Sequence, residues 1–275
     1  MRVNITASIV LYKDGDLVKQ AIESFLKTTL TAKLYLIDNS PMPELKTQLA
    51  DYIKDERVEY IFNNKNIGFG KAHNIALKRV ISESKYHLVL NPDIEFEYGV
   101  LENIFQFMEA NNDIGQLMPK VFYRNGDLQK LCNLLPKPID LISRRFFINS
   151  KWAQKLNNAY ELEGFEYNRC MNIPNLSGCF MFLRNTILQQ TGFFDERYFM
   201  YMEDVDLCRR VHALSKTVFY PYASIIHGFE KESYHSLELL KHHIASAIKY
   251  FNKWGWALDP QRDGFNAQVL KLLNH

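Results

Sequence analysis

Little in this chain interrupts a folded core. Only 12 glycines and 9 prolines occur among its 275 residues, too few for a collagen-like, linker-like or low-complexity architecture. Cys132, Cys170, Cys179 and Cys208 form no C-x-x-C pair, and no histidine stands at zinc-finger spacing from them. Neither a structural zinc site nor a disulfide framework is expected, and reduced, mostly buried thiols are. Charge is not in excess: 33 basic against 31 acidic residues leave +2. That balance argues against nucleic acid as the main partner.

Long apolar runs are missing as well. The longest stretch without a charge, Cys170 to Leu183, is 14 residues and contains Asn, Pro and Gly, short of the roughly 20 apolar residues that span a bilayer. The apolar run Ile5 to Tyr12 has no basic region of any size before it and no small-residue cleavage site after it. It is expected to be a strand, and the protein to be cytoplasmic. A G-K-[ST] phosphate loop and a G-x-S-x-G elbow are absent, which removes the commonest nucleotide hydrolase and serine hydrolase readings.

What the chain does have is a large apolar fraction, 47%, with 19 Phe, 15 Tyr and 3 Trp, enough for a sizeable core. No linker divides it, so one elaborated domain is expected. Val3 to Tyr12 reads as a buried strand, and Asp14 to Thr29 as a helix with Leu17, Val18, Ala21, Ile22, Phe25 and Leu26 on one stripe. Strands follow at Lys33–Ile37, Val58–Phe62 and Tyr86–Leu90, with a helix over Gly68–Ser84. This alternation predicts an α/β fold with a parallel sheet, helices on both faces and ligands at the carboxyl ends of the strands. Further on, a helix is expected at Tyr98–Asn111, a strand at Ile114–Phe122, a turn at Asn125–Asp127 and a less regular insertion from Pro136 to Arg169. Ile173–Leu183 then reads as a strand, Asn185–Gln190 and Glu203–Leu214 as helices, Thr217–Ile226 as a strand and Ser236–Trp256 as an amphipathic helix.

The chemistry lies in polar residues that end apolar strands. Asp38 follows Leu34–Ile37, and Asp93 follows His87–Pro92, so both acids belong on one sheet edge. There one carboxylate can bind a base or ribose and another can hold a divalent cation with substrate phosphates. Alternatively each simply starts a turn. Asn63 to Asn74 places short amides, Gly68-Phe69-Gly70 and Lys71 just before a helix, an entrance suited to an anionic or nucleotide ligand. It is not the dinucleotide fingerprint, because His73 stands where the third glycine would. In Gly192 to Arg210 an aromatic loop runs into a helix opening with Glu203, Asp204 and Asp206. These acids complement the helix dipole, and Asp206 can pair with Arg209 or Arg210. Glu203 and Asp204, beside Phe199, Tyr201 and Met202, can instead lie at the base of a sugar pocket, where a lone acid suits a general base.

Six segments in this order resemble the family 2 glycosyltransferases of the GT-A fold: Ser8–Tyr12, Leu36–Ser40, Asn66–Gly70, Asn91–Asp93, Gly178–Met181 and Glu203–Cys208. Within that family the chain is most similar to bacterial rhamnosyltransferases of O-antigen and other cell-surface polysaccharides. The resemblance implies a Rossmann-like, mostly parallel sheet in a single domain. Its nucleotide-sugar-binding half would span 1–112, an acceptor-binding and catalytic half 113–228, and a C-terminal helical segment 229–275. It implies that Tyr12 and Asp38 hold base and ribose, and that Asn66, Gly68 and Gly70 line the nucleotide pocket. Asp93 would be the last acid of a D-x-D metal motif whose first acid is replaced by Asn91.

His227 would either add a second ligand to Mg²⁺ or Mn²⁺ or merely cap its strand. Asp204 would be the base of a single inverting displacement and Glu203 would orient the acceptor. The implied donor is dTDP-rhamnose or a UDP-sugar, and the implied acceptor a saccharide or a lipid-linked saccharide. Contact with the inner membrane would come through Arg144–Phe147, Lys151-Trp152 and the basic, aromatic C-terminal helix. The rival readings are a UDP-galactose or UDP-glucose transferase, a sugar-nucleotide pyrophosphorylase and a non-catalytic carbohydrate-binding protein. Lys13–Asp16, where a pyrophosphorylase places a Gly-rich basic loop, disfavours the second.

Overall fold

The computed structural model describes residues 3–13, 15–147, 150–228 and 237–273. In chain order the elements of the first half are β1 (Val3–Leu11), α1 (Asp16–Leu26), β2 (Ala32–Asp38), α2 (Glu44–Gln48), α3 (Ala50–Ile53), β3 (Val58–Phe62), α4 (Phe69–Val80), β4 (Ser84–Leu90), β5 (Ile94–Glu95), α5 (Val100–Ala110) and β6 (Ile114–Phe122). The second half adds β7 (Cys132–Asn133), α6 (Pro138–Phe146), α7 (Lys151–Tyr160), β8 (Met171–Asn172), β9 (Asn175–Leu176), β10 (Phe180–Arg184), α8 (Asn185–Thr191), α9 (Glu203–His212), β11 (Lys216–His227), α10 (Leu237–Trp254) and α11 (Pro260–Leu273).

Alternation along β2 shows why helices cover both faces of the sheet. Leu34 and Leu36 pack in one apolar cluster with Val18, Ala21, Ile22 and Phe25 of α1. Tyr35 and Ile37 point the other way, to Ala72, Ala76 and Val80 of α4, as the two-residue period of a strand requires. The central sheet runs β3-β2-β1-β4-β10-β6-β11-β5, with β8 also paired to β11, and β7 and β9 form a separate ribbon.

The parallel arrangement read from the alternation holds for β3, β2, β1 and β4. Beyond β4 the sheet is mixed. β10 runs antiparallel to both β4 and β6, β11 is parallel to β6, and β5 and β8 are antiparallel to β11. The directions combine simply. The ends of β1, β2, β4 and β11 share one edge, and the antiparallel β10 brings its beginning, next to Gly178 and Cys179, to that same edge.

Several expectations need correction. The segment from Pro136 to Arg169 is not irregular: it holds α6 and α7. Pro138 starts α6 instead of breaking it, being the first helical residue, where no amide hydrogen is needed. Asp140 Oδ2 accepts the Lys137 amide at 2.7 Å and closes that entrance. Ile173–Leu183 is two strands, β9 and β10, separated by Ser177-Gly178-Cys179. The helix expected over Gly68–Ser84 is α4, which stops at Val80, because Ser84 already belongs to β4. A second C-terminal helix, α11, follows α10. Ser236 and Asp14, expected as helix starts, lie outside the described residues. Cys132, Cys179 and Cys208 are buried thiols as expected, while Cys170 is exposed.

Candidate active site

The shared edge gathers the acids. Leu11 pairs with Asp38 and Ile9 with Leu90, so Tyr12, Asp38 and the Asn91–Asp93 turn leave the sheet side by side. Tyr12 is 47% exposed beside the strand ends, with the Lys13 ammonium 5.0 Å from its ring centroid. Asp38 is fully buried. Its Oδ1 accepts the Ser40 amide at 2.8 Å, forming the turn its sequence suggests, and its Oδ2 accepts from the Tyr60 hydroxyl. Burial, then the bond to Asp38, pushes the Tyr60 phenol above its ordinary range, so Tyr60 stays a donor. A carboxylate with two bonds made still has acceptor capacity.

The Asn66–Gly70 segment is a junction with the aromatic loop. Asn66 Oδ1 accepts the Gly68 amide at 3.0 Å, and Asn39 donates to the Gly68 carbonyl at 3.3 Å and accepts from Asn63 at 2.9 Å. Gly68, at φ 91°, is buried where any side chain would overlap the Phe199 carbonyl. That carbonyl accepts the Phe69 amide at 3.0 Å. A Cβ on Gly70 would meet Phe194 Cβ at 2.8 Å and Glu203 Cβ at 3.5 Å. The glycines therefore serve close packing against 194–203, and half-buried Asn66 is the member of the trio nearer solvent.

Asp93 and His227 meet at the other end of the edge. Asp93 Oδ1 lies 3.4 Å from His227 Nε2, and the Asp93 carbonyl accepts the Gly228 amide at 2.9 Å. Gln129 approaches His227 from behind: its Oε1 is 3.0 Å from Nδ1, and its Nε2 donates to the His227 carbonyl at 3.0 Å. The Arg124 guanidinium lies alongside, with Nε 3.2 Å from where a Gly228 Cβ would stand. Among the described residues no group of three or more His, Cys, Asp or Glu forms a metal cluster. One carboxylate and one imidazole nonetheless make an O/N pair that suits Mn²⁺, with phosphate oxygens able to complete the shell.

Asp204 is carried to the same place by α9. Tyr201 and Met202 both adopt left-handed backbone, φ 68° and 66°, turning the loop sharply into the helix. Asp204 Oδ1 accepts the Val205 amide at 2.8 Å and Oδ2 accepts the Gly178 amide at 3.0 Å. Cys179, the next residue, accepts the Asn91 amide at 2.9 Å. A two-residue bridge thus joins Asp204 to the turn bearing Asp93. Burial pushes the Cys179 thiol up to about 12, and the charges of Asp93 and Asp204 both add to that rise. Burial also raises the Asp204 carboxyl, while the Val205 and Gly178 amides pull it back down. Asp93 and Asp204 therefore share one electrostatic neighbourhood.

Glu203 is different. It is 5% exposed, its Oε2 has no hydrogen-bond partner among the described residues, and burial together with the Asp204 charge holds its carboxyl well above the usual range. Met202 also differs from expectation: it is buried with Tyr198, Val205, Tyr250 and Phe251 and lines no sugar pocket. Phe199 and Tyr201 form a half-buried aromatic rim against His242 and His243 of α10, at centroid distances of 4.4 and 4.9 Å. Asp206 pairs with Arg210 at 2.9 Å and with Lys253 at 2.7 Å, whereas Arg209 makes a buried ion pair with Asp259.

Residues 6–192 match the family described as glycosyl transferase family 2. The chain belongs to that family. Its relatives include the low-salt glycan biosynthesis hexosyltransferase Agl10 of Haloferax volcanii, 22% identical over 75% of this chain and 61% of that protein. Another is the N-acetylglucosaminyl-diphospho-decaprenol L-rhamnosyltransferase of Mycobacterium tuberculosis, 25% identical over 79% of this chain and 74% of that protein. Among solved structures, GalNAc-T7 with UDP, GalNAc and Mn²⁺ superposes with a TM-score of 0.66 at 14% identity, over 93% of this chain and half of that one. The GT-A fold expected from the sequence is thereby confirmed. As a family 2 chain, the protein carries its Asn91–Asp93 turn and Gly178–Met181 segment inside the matched region and the Glu203-Asp204 pair beyond it. Gln129, Arg124 and Asn39 were missed from sequence, and only Asn39, within the Asp38–Ser40 turn, carried a local signal.

Proposed function

We propose that this chain is an inverting glycosyltransferase that moves L-rhamnose from dTDP-rhamnose to a lipid-linked saccharide. The observation that supports it most is the hydrogen-bonded bridge from Asp204 through Gly178 and Cys179 to the Asn91–Asp93 turn. On this reading Asp204 stands across the reacting carbon from the Asp93–His227 pair, and Tyr12 stacks on the base. Asp38, an acceptor-only group, takes the N3–H of thymine or uracil, and Arg124 faces the diphosphate. Asp93 and His227 would hold Mg²⁺ or Mn²⁺, which supplies charge neutralisation for the departing diphosphate, so no protein acid is needed on that side.

On the opposite face Asp204 takes the proton from the attacking acceptor hydroxyl. Its two amide bonds fix its direction and leave an oxygen lone pair for that proton. A single displacement inverts the anomeric centre, whereas a retaining double displacement would need a nucleophilic carboxylate as well. Glu203 acts on the acceptor only through the Tyr201–Met202 turn it underlies. The preference for rhamnose rests on the relatives' names, and a UDP-hexose donor on the same scaffold is the second reading.

A lipid-linked acceptor is favoured by the groove of about 240 Å³ between α6 and α10, lined by Pro138, Ile142, Leu240, Ile244, Ile248 and Trp256. It adjoins the rim that His242 and His243 support, and the last three side chains are nearly half exposed. No helix among the described residues is long and apolar enough to cross a membrane. The reading therefore has the protein resting on the cytoplasmic face of the inner membrane by this patch. Tyr250 and Phe251 of the same helix are buried instead, and Lys249 and Lys253 are tied to the Arg197 carbonyl and to Asp195.

The deciding experiment is a donor screen with Mn²⁺, comparing dTDP-rhamnose, UDP-glucose, UDP-galactose and GDP-sugars by donor hydrolysis and transfer. Turnover of dTDP-rhamnose supports the reading, turnover of a UDP-sugar alone replaces the donor, and binding without turnover of any donor makes the chain a carbohydrate binder. Flotation with anionic vesicles tests the membrane patch, which fails if the protein stays at the bottom of the gradient.

A further inference from the structure

Gln129 has no place in the scheme above, yet it is 3% exposed and spends its whole amide on one residue and its neighbour strand. It is brought there by a tight hairpin. β6 ends at Phe122, which bridges to Leu128, and Tyr123 accepts from Gly126 and donates to Asp127 across a turn with Gly126 at φ 89°. The Gln129 amide hydrogen then bonds the Val121 carbonyl at 2.8 Å. That places the side chain beside the last residue of β11.

The orientation of the Gln129 side-chain amide follows from its surroundings. Its Nε2 faces the His227 carbonyl at 3.0 Å and the Phe122 carbonyl at 3.5 Å. Both are acceptors only, so the NH₂ group must be on that side and Oε1 must face the ring. Oε1 lies 3.0 Å from His227 Nδ1, and an amide oxygen cannot donate. Nδ1 therefore carries the ring proton. In the neutral imidazole Nε2 then presents its lone pair, and it does so 3.4 Å from Asp93 Oδ1. A lone pair and a carboxylate oxygen at that separation form a pair of like polarity that a cation between or beside them relieves.

We propose that Gln129 is a positioning residue for the divalent cation of the nucleotide-sugar site: it locks His227 in the Nδ1–H tautomer and fixes its ring, so that Nε2 and Asp93 Oδ1 are presented together. This rests on the metal-dependent reading of the previous subsection and adds to it a residue that touches neither substrate nor cation. The clamp grips both ends of His227, ring and carbonyl, so the ring orientation is set before any ligand arrives. Partners of this kind behind a metal-bound histidine are worth about 10- to 100-fold in affinity.

Two measurements on the full chain test it. In the first, ¹⁵N chemical shifts of the imidazoles of the metal-free wild type are read near neutral pH, with His227 assigned by its loss in His227→Gln. The expected pattern is protonated Nδ1 and unprotonated Nε2, and an Nε2–H tautomer or an imidazolium overturns the proposal without any need for a Gln129 variant.

The second is a titration of Mn²⁺, followed by its EPR signal, in the presence of dTDP or UDP. Gln129→Leu should weaken Mn²⁺ by about 10- to 100-fold, while Gln129→Glu, which still accepts the Nδ1 proton but loses the bond to the His227 carbonyl, should weaken it clearly less than Gln129→Leu does. Wild-type affinity in a folded Gln129→Leu protein, or equal weakening in both variants, overturns the proposal. If the wild type itself takes up no Mn²⁺ with either nucleotide, the metal reading falls and this inference falls with it. If Mn²⁺ binds but the variants behave alike, only Gln129 is misassigned.

Discussion

Gly178 donates its amide to Asp204 Oδ2 at 3.0 Å, and a methyl group on Gly178 would stand 2.8 Å from Asp204 Cβ. The residue that holds the proposed base is thus one that has no side chain. Its own backbone lies away from the left-handed region, so the requirement is for space. Gly178→Ala should displace the carboxylate and cut transfer by about 10- to 100-fold. Nucleotide affinity, read by calorimetry, should change little. Normal turnover in Gly178→Ala would mean that Asp204 is not the base, or that its position is immaterial.

Asp204→Asn and Asp93→Ala should fail in different ways. The amide cannot take a proton from the acceptor, so Asp204→Asn keeps donor affinity and loses about 10²- to 10⁴-fold in transfer. Asp93→Ala removes the carboxylate of the Asp93–His227 pair, so its defect should appear in Mn²⁺-dependent donor binding. Steady-state kinetics paired with binding titrations separate the two. Equal loss of binding in both variants would contradict the division of labour.

A buried histidine wire gives the fold an acid-sensitive slope. Thr6 Oγ1 meets His87 Nδ1 at 2.9 Å, and Ser8 Oγ bridges His87 Nε2 at 2.8 Å and His73 Nδ1 at 2.6 Å. Burial pulls His87 down to about 3 and His212 to about 4, and burial with the neighbouring His87 charge pulls His73 well below its ordinary value. These rings are neutral when folded but titrate near 6.5 when unfolded, so the unfolded chain binds the extra protons. Their stabilisation is complete above about pH 6.5 and is lost as pH falls toward 3, at about 1.4 kcal/mol per unit for each histidine. Denaturant melts between pH 4 and 7 should show this slope, and a flat profile would refute it.

Glu203 carries the opposite sign. Its carboxyl is held above the ordinary 4.5 by burial and by Asp204, so the folded chain resists an ionisation that the unfolded chain accepts freely. The Glu203 contribution to stability should therefore decline as pH rises from about 4.5 through the folded pKa, against the opposite slope of the histidines. Glu203→Gln, neutral throughout, should match wild type in acid and exceed its thermal midpoint at alkaline pH. Identical midpoints across the range would show that Glu203 is solvated.

The legible residues were those that end apolar strands. Asp38 and Asp93 each follow an apolar run, and parallel pairing puts such ends on one edge whatever the helices do. Asp204 was legible because three acids open a helix behind an aromatic loop. Gln129 was not, since its partner lies 98 residues away on β11 and a lone glutamine after a turn has no periodic signature. α11 falls within the expected C-terminal helical segment but has no apolar stripe of its own to read, because its buried residues, Arg262, Asn266 and Val269, include polar anchors such as Asn266, which bonds both backbone groups of Leu135. Glu203 and Asp204 are adjacent in sequence, and only the Tyr201–Met202 turn decides which one is enclosed.

Phe199 is fastened twice, by its carbonyl to Phe69 beside Gly68 and by its ring to His242. Ser246 and Lys249 hold the carbonyls of Met200 and Arg197 from the same helix. Grafting this rim onto a sister scaffold would thus mean carrying 194–204 and 237–254 as one cassette and keeping glycine at 68. A cut between them would strip Phe199 and Tyr201 of the helix they pack against.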